Sequence, residues 1–344
     1  MKKSLLALAA LTAFAGVASA QSSVTAFGIV DLAARNVKNG NAGSIKSLSP
    51  AGQATSRLGF RGVEDLGGGL RAGFWIEGQL DPDTGGTGHN WARRSTISLI
   101  GSFGEVRLGR DLNNIYTGFA VGDPFGYVGV ASVANVRQAF LGLGGATTAV
   151  RTSNTIAYYL PAMGGLYGSA MVGAGEGTTG NKYVGVRLGY AAGPLNVSGA
   201  TAKTYRTGTM VDDLTSTNFA ATFNMGFATI GGAYEKSDYS TQDSTLMTVF
   251  TTVPMGKGLF KAQYTKSSGT GPVGRADAYD ATQFGVGYVY NLSKRTSLYT
   301  NYGSINNGGS VVSGATFTAS GTGPAGMRRG ETSTGYEFGV RHDF

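Results

Sequence analysis

Two histidines and no cysteine are all that 344 residues offer of the side chains that most often serve as bases, nucleophiles or zinc ligands. His89 lies in a polar, glycine-rich stretch and His342 in the last few residues, and neither sits in a serine–aspartate arrangement suited to nucleophilic catalysis. These residues argue against an enzyme, and neither a metal nor a cofactor is expected. The chain offers fixed charge instead, with 28 Lys+Arg against 20 Asp+Glu and a net charge of +8. Arginine stays ionised at any physiological pH and presents several donors. Gathered in a narrow passage with low-dielectric walls, arginines lower the energy of an entering anion and raise that of a cation. At about 4–8 Å and an effective dielectric near 20, each charge contributes roughly 2–4 kcal/mol before salt screens it. Nucleic acid is not needed to account for the basic excess.

The elements that would hold such groups begin after a leader. Lys2 and Lys3 form a basic start, Leu5 to Val17 an apolar stretch, and Ala18-Ser19-Ala20 a small-residue cleavage site. Residues 1–20 are therefore expected to be a signal peptide removed after Ala20, leaving 26 basic and 20 acidic residues, a net +6. An exported chain has the option of disulfides, and this one has no cysteine to make them. Nothing later approaches 18 continuous apolar residues, so no membrane helix is expected; a barrel strand needs only about 9–11 alternating residues.

Composition points to strands. Charged residues are only 14%, with 57 Gly, 17 Tyr and 17 Phe, yet the mean hydropathy is −0.03. Gly, Ser, Thr and Asn stand where charge is missing, and strong helix formers are scarce. Leu58 and Phe60 alternate with Arg57, Gly59 and Arg61. After the tight reversal Glu64–Gly69, Leu70, Ala72, Phe74 and Ile76 alternate with Arg71, Gly73, Trp75 and Glu77. Period 2 gives each set its own strand face. The rhythm predicts sixteen strands near residues 22–36, 53–65, 70–80, 91–101, 104–111, 153–161, 165–175, 182–192, 194–206, 214–224, 226–238, 245–254, 258–268, 279–291, 295–304 and 331–344. Short connections alternate with longer polar ones, the outer-membrane pattern of short periplasmic turns and longer external loops. An even count lets the first strand meet the last, and closure matters because in lipid an open edge leaves its N–H and C=O groups unsatisfied. A soluble β-sandwich would keep charge off its inward faces; here the second face carries Arg, Glu, Ser and Thr throughout. The expected fold is all-β, a 16-stranded antiparallel transmembrane β-barrel over residues 21–344.

One connection breaks the rhythm. About 112–150 show little alternation and exceed any ordinary loop length. The segment is mostly small or apolar, so it is expected to pack in the lumen as a constriction loop. Its only acidic residue is Asp123 and its only basic one Arg137. The chain ends on a strand in which Tyr336, Phe338, Val340 and Phe344 share a face, as a closing strand requires.

Several strings taken together are similar to a known family: Gln21–Asp31, Thr55–Gly62, Glu64–Gly78, Arg93–Thr96, Gly104–Asp111, Asn291–Thr296 and the terminal Phe344. Along the whole mature length the chain resembles general diffusion porins of Gram-negative bacteria, specifically the anion-selective porins of betaproteobacteria. The resemblance implies a homotrimer of barrels in the bacterial outer membrane, among its lipid and lipopolysaccharide, passing small anions and hydrophilic solutes. It implies a C-terminal Phe344 that serves the barrel-assembly machinery as a signal. It also implies a pore eyelet of three arginines and a glutamate, which match Arg57, Arg93, Arg151 and Glu77 here.

Alternation agrees for three of the four. Arg57 opposes Leu58 and Phe60, Glu77 opposes Phe74 and Ile76, and Arg151 shares parity with Ser153 and Thr155, so all three face the lumen. Counting back from Ile97 and Leu99 turns Arg94 inward rather than Arg93, unless a bulge or bend opens the strand. Both stay candidates for the constriction, with Asp123. Arg71, Arg107 and Arg110 are further lumen charges, and Tyr158, Tyr190, Tyr288, Tyr290 and Tyr302 suit an interfacial girdle. A cation-preferring pore would need an acidic wall facing the arginines, which the long loop scarcely supplies. Anion preference is therefore expected. The alternatives are a substrate-specific outer-membrane channel, a surface adhesin, or an outer-membrane barrel enzyme.

Overall fold

A computed structural model describes residues 23–86, 90–141, 146–177, 180–205, 212–272, 275–308, 316–321 and 323–344. The expected leader and His89 lie outside the described residues. The strands are β1 (Ser23–Asn39), β2 (Ser44–Ser49), β3 (Arg57–Gly67), β4 (Leu70–Gln79), β5 (Arg94–Gly101), β6 (Gly104–Leu112), β7 (Arg151–Tyr159), β8 (Leu166–Gly173) and β9 (Lys182–Ala192). They continue with β10 (Leu195–Tyr205), β11 (Leu214–Asn224), β12 (Thr229–Tyr239), β13 (Gln242–Met255), β14 (Gly258–Ser268), β15 (Ala281–Asn291), β16 (Thr296–Asn307) and β17 (Thr332–Asp343). Each pairs antiparallel with its neighbours in one sheet. β1 closes the sheet against β17, from Ile29↔Asp343 to Asn39↔Ser333. Gly28 and Phe344 then exchange both backbone hydrogen bonds, at 3.1 and 3.0 Å.

The other edge of β1 explains why seventeen strands make a 16-stranded barrel. Ser23–Ile29 pair with β3 and Ala33–Lys38 pair with β2, so β2 and β3 are two halves of one stave. The alternation predicts that stave to run unbroken from residue 53; instead residues 50–56 leave the wall between the halves. The cause is Asp31, whose buried carboxylate accepts the backbone N–H of Gly52, Gln53 and Ala54 at 3.3, 2.9 and 2.7 Å. Those three donors, taken from the sheet ladder, are satisfied by one side chain.

The two faces invert the rule for soluble proteins. Ile97, Leu188, Phe219, Met247 and Phe338 are exposed on the outside, each by more than half. Asp31, Glu77, Glu235, Gln263 and Glu337 are buried on the inside. Lipid supplies the apolar environment that a core otherwise provides. Tyr158, Tyr190, Tyr290 and Tyr302 stand on the exposed face; Tyr288 shares their parity and is half-buried.

The packed apolar core lies in the lumen, where the segment after β6 folds inward. Its ends are stapled: Asn113 donates from its backbone to Val150 (3.1 Å) and from its side chain to the Thr148 carbonyl (2.5 Å). Asn113 also caps the helix Asn114–Phe119 by accepting from Tyr116 N at 2.9 Å. A second helix, Ala134–Leu141, follows. Phe119, Val133, Val136 and Phe140 pack with Leu214, Ala233, Leu246 and Ile305 of the inner wall.

Two buried ion pairs hold the loop. Arg137 forks onto Glu235 of β12, with Nε to Oε1 at 2.7 Å and Nη2 to Oε2 at 2.5 Å. Glu337 of β17 is paired with Arg35 of β1 (2.7 Å) and accepts Val130 N of the loop at 3.3 Å. Close approach at this second anchor depends on missing side chains. Gly285, Gly303 and Gly335 are successive cross-strand partners on β15, β16 and β17. A Cβ on Gly303 would fall 1.9 Å from the Val130 carbonyl oxygen, and one on Gly285 would fall 2.8 Å from that of Ala131. Glycine there provides the flat inner surface on which the loop rests.

Candidate functional site

Where β3, β5 and β7 begin and β4 and β6 end, the guanidinium groups of Arg57, Arg93 and Arg151 gather around one carboxylate, and a fourth, that of Arg110, borders Arg151. Glu77 Oε1 accepts from Arg93 Nε at 2.6 Å and lies 3.4 Å from Arg57 Nη1. Its Oε2 accepts from the Trp75 indole at 3.1 Å. Arg151 donates from Nε to the Arg93 carbonyl at 2.7 Å. Arg110 donates to the Ala92 carbonyl at 2.6 Å and to Ser153 Oγ at 2.7 Å.

The acceptors decide the electrostatics. Arg57 also donates from Nε to the Thr55 carbonyl (2.9 Å), so three of the four arginines are oriented by backbone carbonyls from irregular segments. A carbonyl fixes a guanidinium without cancelling its charge, whereas a carboxylate does both. Among the described residues neither Arg110 nor Arg151 has a carboxylate within 4.0 Å; the cluster sums four positive charges against one negative, a local +3.

Sequence alternation and resemblance had divided over Arg93 and Arg94, and the structure has a place for each. Pairing of β5 starts at Arg94 opposite Glu77, so Arg93 precedes the pleat and is not bound by its alternation. Arg93 N donates to the Glu77 carbonyl at 3.1 Å, which turns its side chain into the cluster. Arg94 points inward with Thr96 and Ser98 but belongs to a second group, 3.6 Å from Asp111 and 4.6 Å from the centre of the Trp75 ring. Arg151 joins Arg93, though not through simple parity: Asn154 has φ 56 and the β6–β7 register shifts between Gly109 and Asp111. The extra residue of that shift lies in β7, where Ser153 and Asn154 together face Arg110; Gly109, at φ 122, lies tight against β5, where a Cβ would fall 2.0 Å from the Ser95 carbonyl oxygen. Arg110, which alternation groups with the outward Val106 and Leu108, keeps its regular pairing opposite Ser95, and its guanidinium reaches the Ala92 carbonyl beside Arg93.

The loop supplies the facing wall. Its Tyr116 is within electrostatic reach of Arg57, Arg93 and Arg151, and burial pushes its phenol up against their opposing field. Asp123 does not join the arginines. Its carboxylate caps its own turn, accepting Phe125 N at 3.0 Å and Tyr127 N at 2.7 Å, and burial pushes it up against those bonds. Phe344 stands at the closing seam, its ring across Gly28, where a Cβ would fall 2.3 Å from Phe344 Cζ and 2.8 Å from the backbone carbonyl oxygen of Arg57. Among the described residues no group of three or more His, Cys, Asp or Glu is placed to hold a metal.

A closed barrel, an in-folded loop and a charged gap between them make a passage, and the sequence pattern of the Gram-negative porins matches residues 7–310. The chain belongs to that porin family. Over its full length it is 38% identical to outer membrane porin protein 32 of Delftia acidovorans, all of which is covered. It is 29% identical to an outer membrane porin of Bordetella pertussis, over 94% of this chain and 99% of that one. Among solved structures, an anion-selective porin from Comamonas acidovorans superimposes with a TM-score of 0.85 at 36% identity, covering 94% of this chain and 100% of that one. Family and fold are those of a passive diffusion channel in the Gram-negative outer membrane.

Proposed function

We propose that this porin prefers anions, and that the arginine cluster in its constriction sets the preference. Arg57, Arg93, Arg110 and Arg151 line one side of the eyelet with Glu77 between them, Arg94 extends the field on the periplasmic side, and the loop over residues 112–150 forms the other wall. The observation that carries this reading is the set of carbonyl acceptors, which orient the guanidinium groups and leave their charge in place. Asp123 tempers the preference little, because its own turn occupies it. The anion selectivity of the Comamonas acidovorans porin supports the reading. The protein acts as a channel and not as an enzyme. It is exported by the leader of residues 1–20, inserted with Phe344 as the mark for the assembly machinery, and set as a homotrimer among lipid and lipopolysaccharide.

The test is a reversal potential across a KCl gradient in a planar bilayer. Chloride over potassium is expected, with the ratio reduced in Arg57→Ala and Arg151→Ala. Potassium over chloride would overturn the charge assignment.

A further inference from the structure

Below the eyelet, on the side of the short turns, the same wall carries a recess of about 420 Å³ that the charge cluster does not use. Arg61, Trp75, Arg94, Ile100, Glu105 and Arg107 line it. Arg61 sits four residues along β3 from Arg57, a separation of about 13 Å at 3.3 Å per residue. The recess is a separate station on the path.

Its cations differ in what they already hold. Arg107 is committed, donating to both Glu105 oxygens at 2.9 and 3.0 Å and to Asp111 at 2.5 Å. Arg94 lies 3.6 Å from Asp111. Arg61, among the described residues, has no carboxylate within 4.0 Å; its guanidinium instead lies 5.1 Å from the Trp75 ring centre and 5.3 Å from that of Phe27. Phe27 meets Trp75 edge-on at 5.0 Å, and the Glu77 bond fixes the indole. Arg61 is thus a cation oriented through its flat face, with its N–H edge left for an anion.

We propose that this recess binds small monocarboxylates with a flat apolar body, the carboxylate on Arg61 and Arg94 and the body against Trp75 and Ile100. This rests on the channel reading above. An inorganic anion would leave the apolar half of the recess wet, whereas an aryl carboxylate covers both halves. Glu105 stands beside the cations and disfavours a second negative charge on the ligand.

Benzoate is the probe, added to the full-length porin conducting chloride in a planar bilayer, with acetate at equal concentration as the comparison. Benzoate is expected to lower the chloride current to a plateau with a defined half-blocking concentration, and acetate is not. Arg61→Gln should raise that concentration about tenfold, the loss of one charge-assisted pair, and Arg61→Lys should fall between. Only conducting channels enter the comparison, so a variant that fails to fold does not imitate the result. A current proportional to benzoate concentration without a plateau, equal block by acetate, or wild-type block in Arg61→Gln would each overturn the station. The KCl reversal potential is read on the same membranes before benzoate is added; cation preference there sinks the eyelet reading and leaves the block to decide the recess by itself.

Discussion

At the scale of residues, selectivity turns on which arginines are neutralised. Among the described residues Glu77 is the only carboxylate in the cluster, shared by Arg57 and Arg93. Glu77→Gln keeps an acceptor for the Trp75 indole and removes the negative charge, so the chloride-to-potassium permeability ratio should rise by a few fold, as expected for about 1 kcal/mol of retained field. Arg151→Gln should lower the ratio by a similar factor while the Arg93 carbonyl is still met by an amide donor. Both shifts should shrink between 0.1 and 1 M KCl, as the screening length falls from about 10 to about 3 Å. A ratio that ignores salt would place the selectivity somewhere other than these charges.

At the scale of elements, the constriction is a property of how firmly one loop is held. Arg137 and Glu235 are both nearly inaccessible, so removing one partner strands the other charge. Arg137→Ala should destabilise the folded loop by about 3–5 kcal/mol, read as larger, noisier single-channel currents and a lower guanidinium midpoint. The double variant Arg137→Met, Glu235→Gln should recover much of that loss, since neither residue then carries a buried charge. Gly303→Val tests the second anchor independently. Its side chain would occupy the space of the Val130 carbonyl, so conductance should increase although no charge has changed.

At the scale of the whole molecule, stability depends on a closed ring of backbone hydrogen bonds more than on a central core. The seam between β1 and β17 ends in the reciprocal Gly28–Phe344 pair. Gly28→Val would push against both the Phe344 ring and the Arg57 carbonyl, 2.3 and 2.8 Å from the added Cβ. It should cost about 1–3 kcal/mol, and the fraction of barrel that stays compact on an unheated denaturing gel should fall. Deleting Phe344 removes two hydrogen bonds in lipid and should lower the refolded yield further. Unchanged yields for both variants would show that closure is secured higher up the seam.

Alternation along the chain was enough to derive sixteen staves, their inward and outward faces, the short and long ends, and a long apolar segment with no place except the lumen. These follow from the sequence because a strand in a membrane wall answers mainly to period 2 and to lipid on one side. Arg57 and Glu77 could be placed by the same count, since both lie in regular pleat. The rest of the site was decided in three dimensions. The break at residues 50–56 depends on Asp31 reaching across to another stave, Arg93 on where pairing begins, and Arg151 on a bulge in β7. The carbonyls that orient the guanidinium groups belong to segments with no period at all. Local pattern determines which way a side chain points while the ladder is regular; where the ladder is interrupted, only the partners brought in from distant staves determine it.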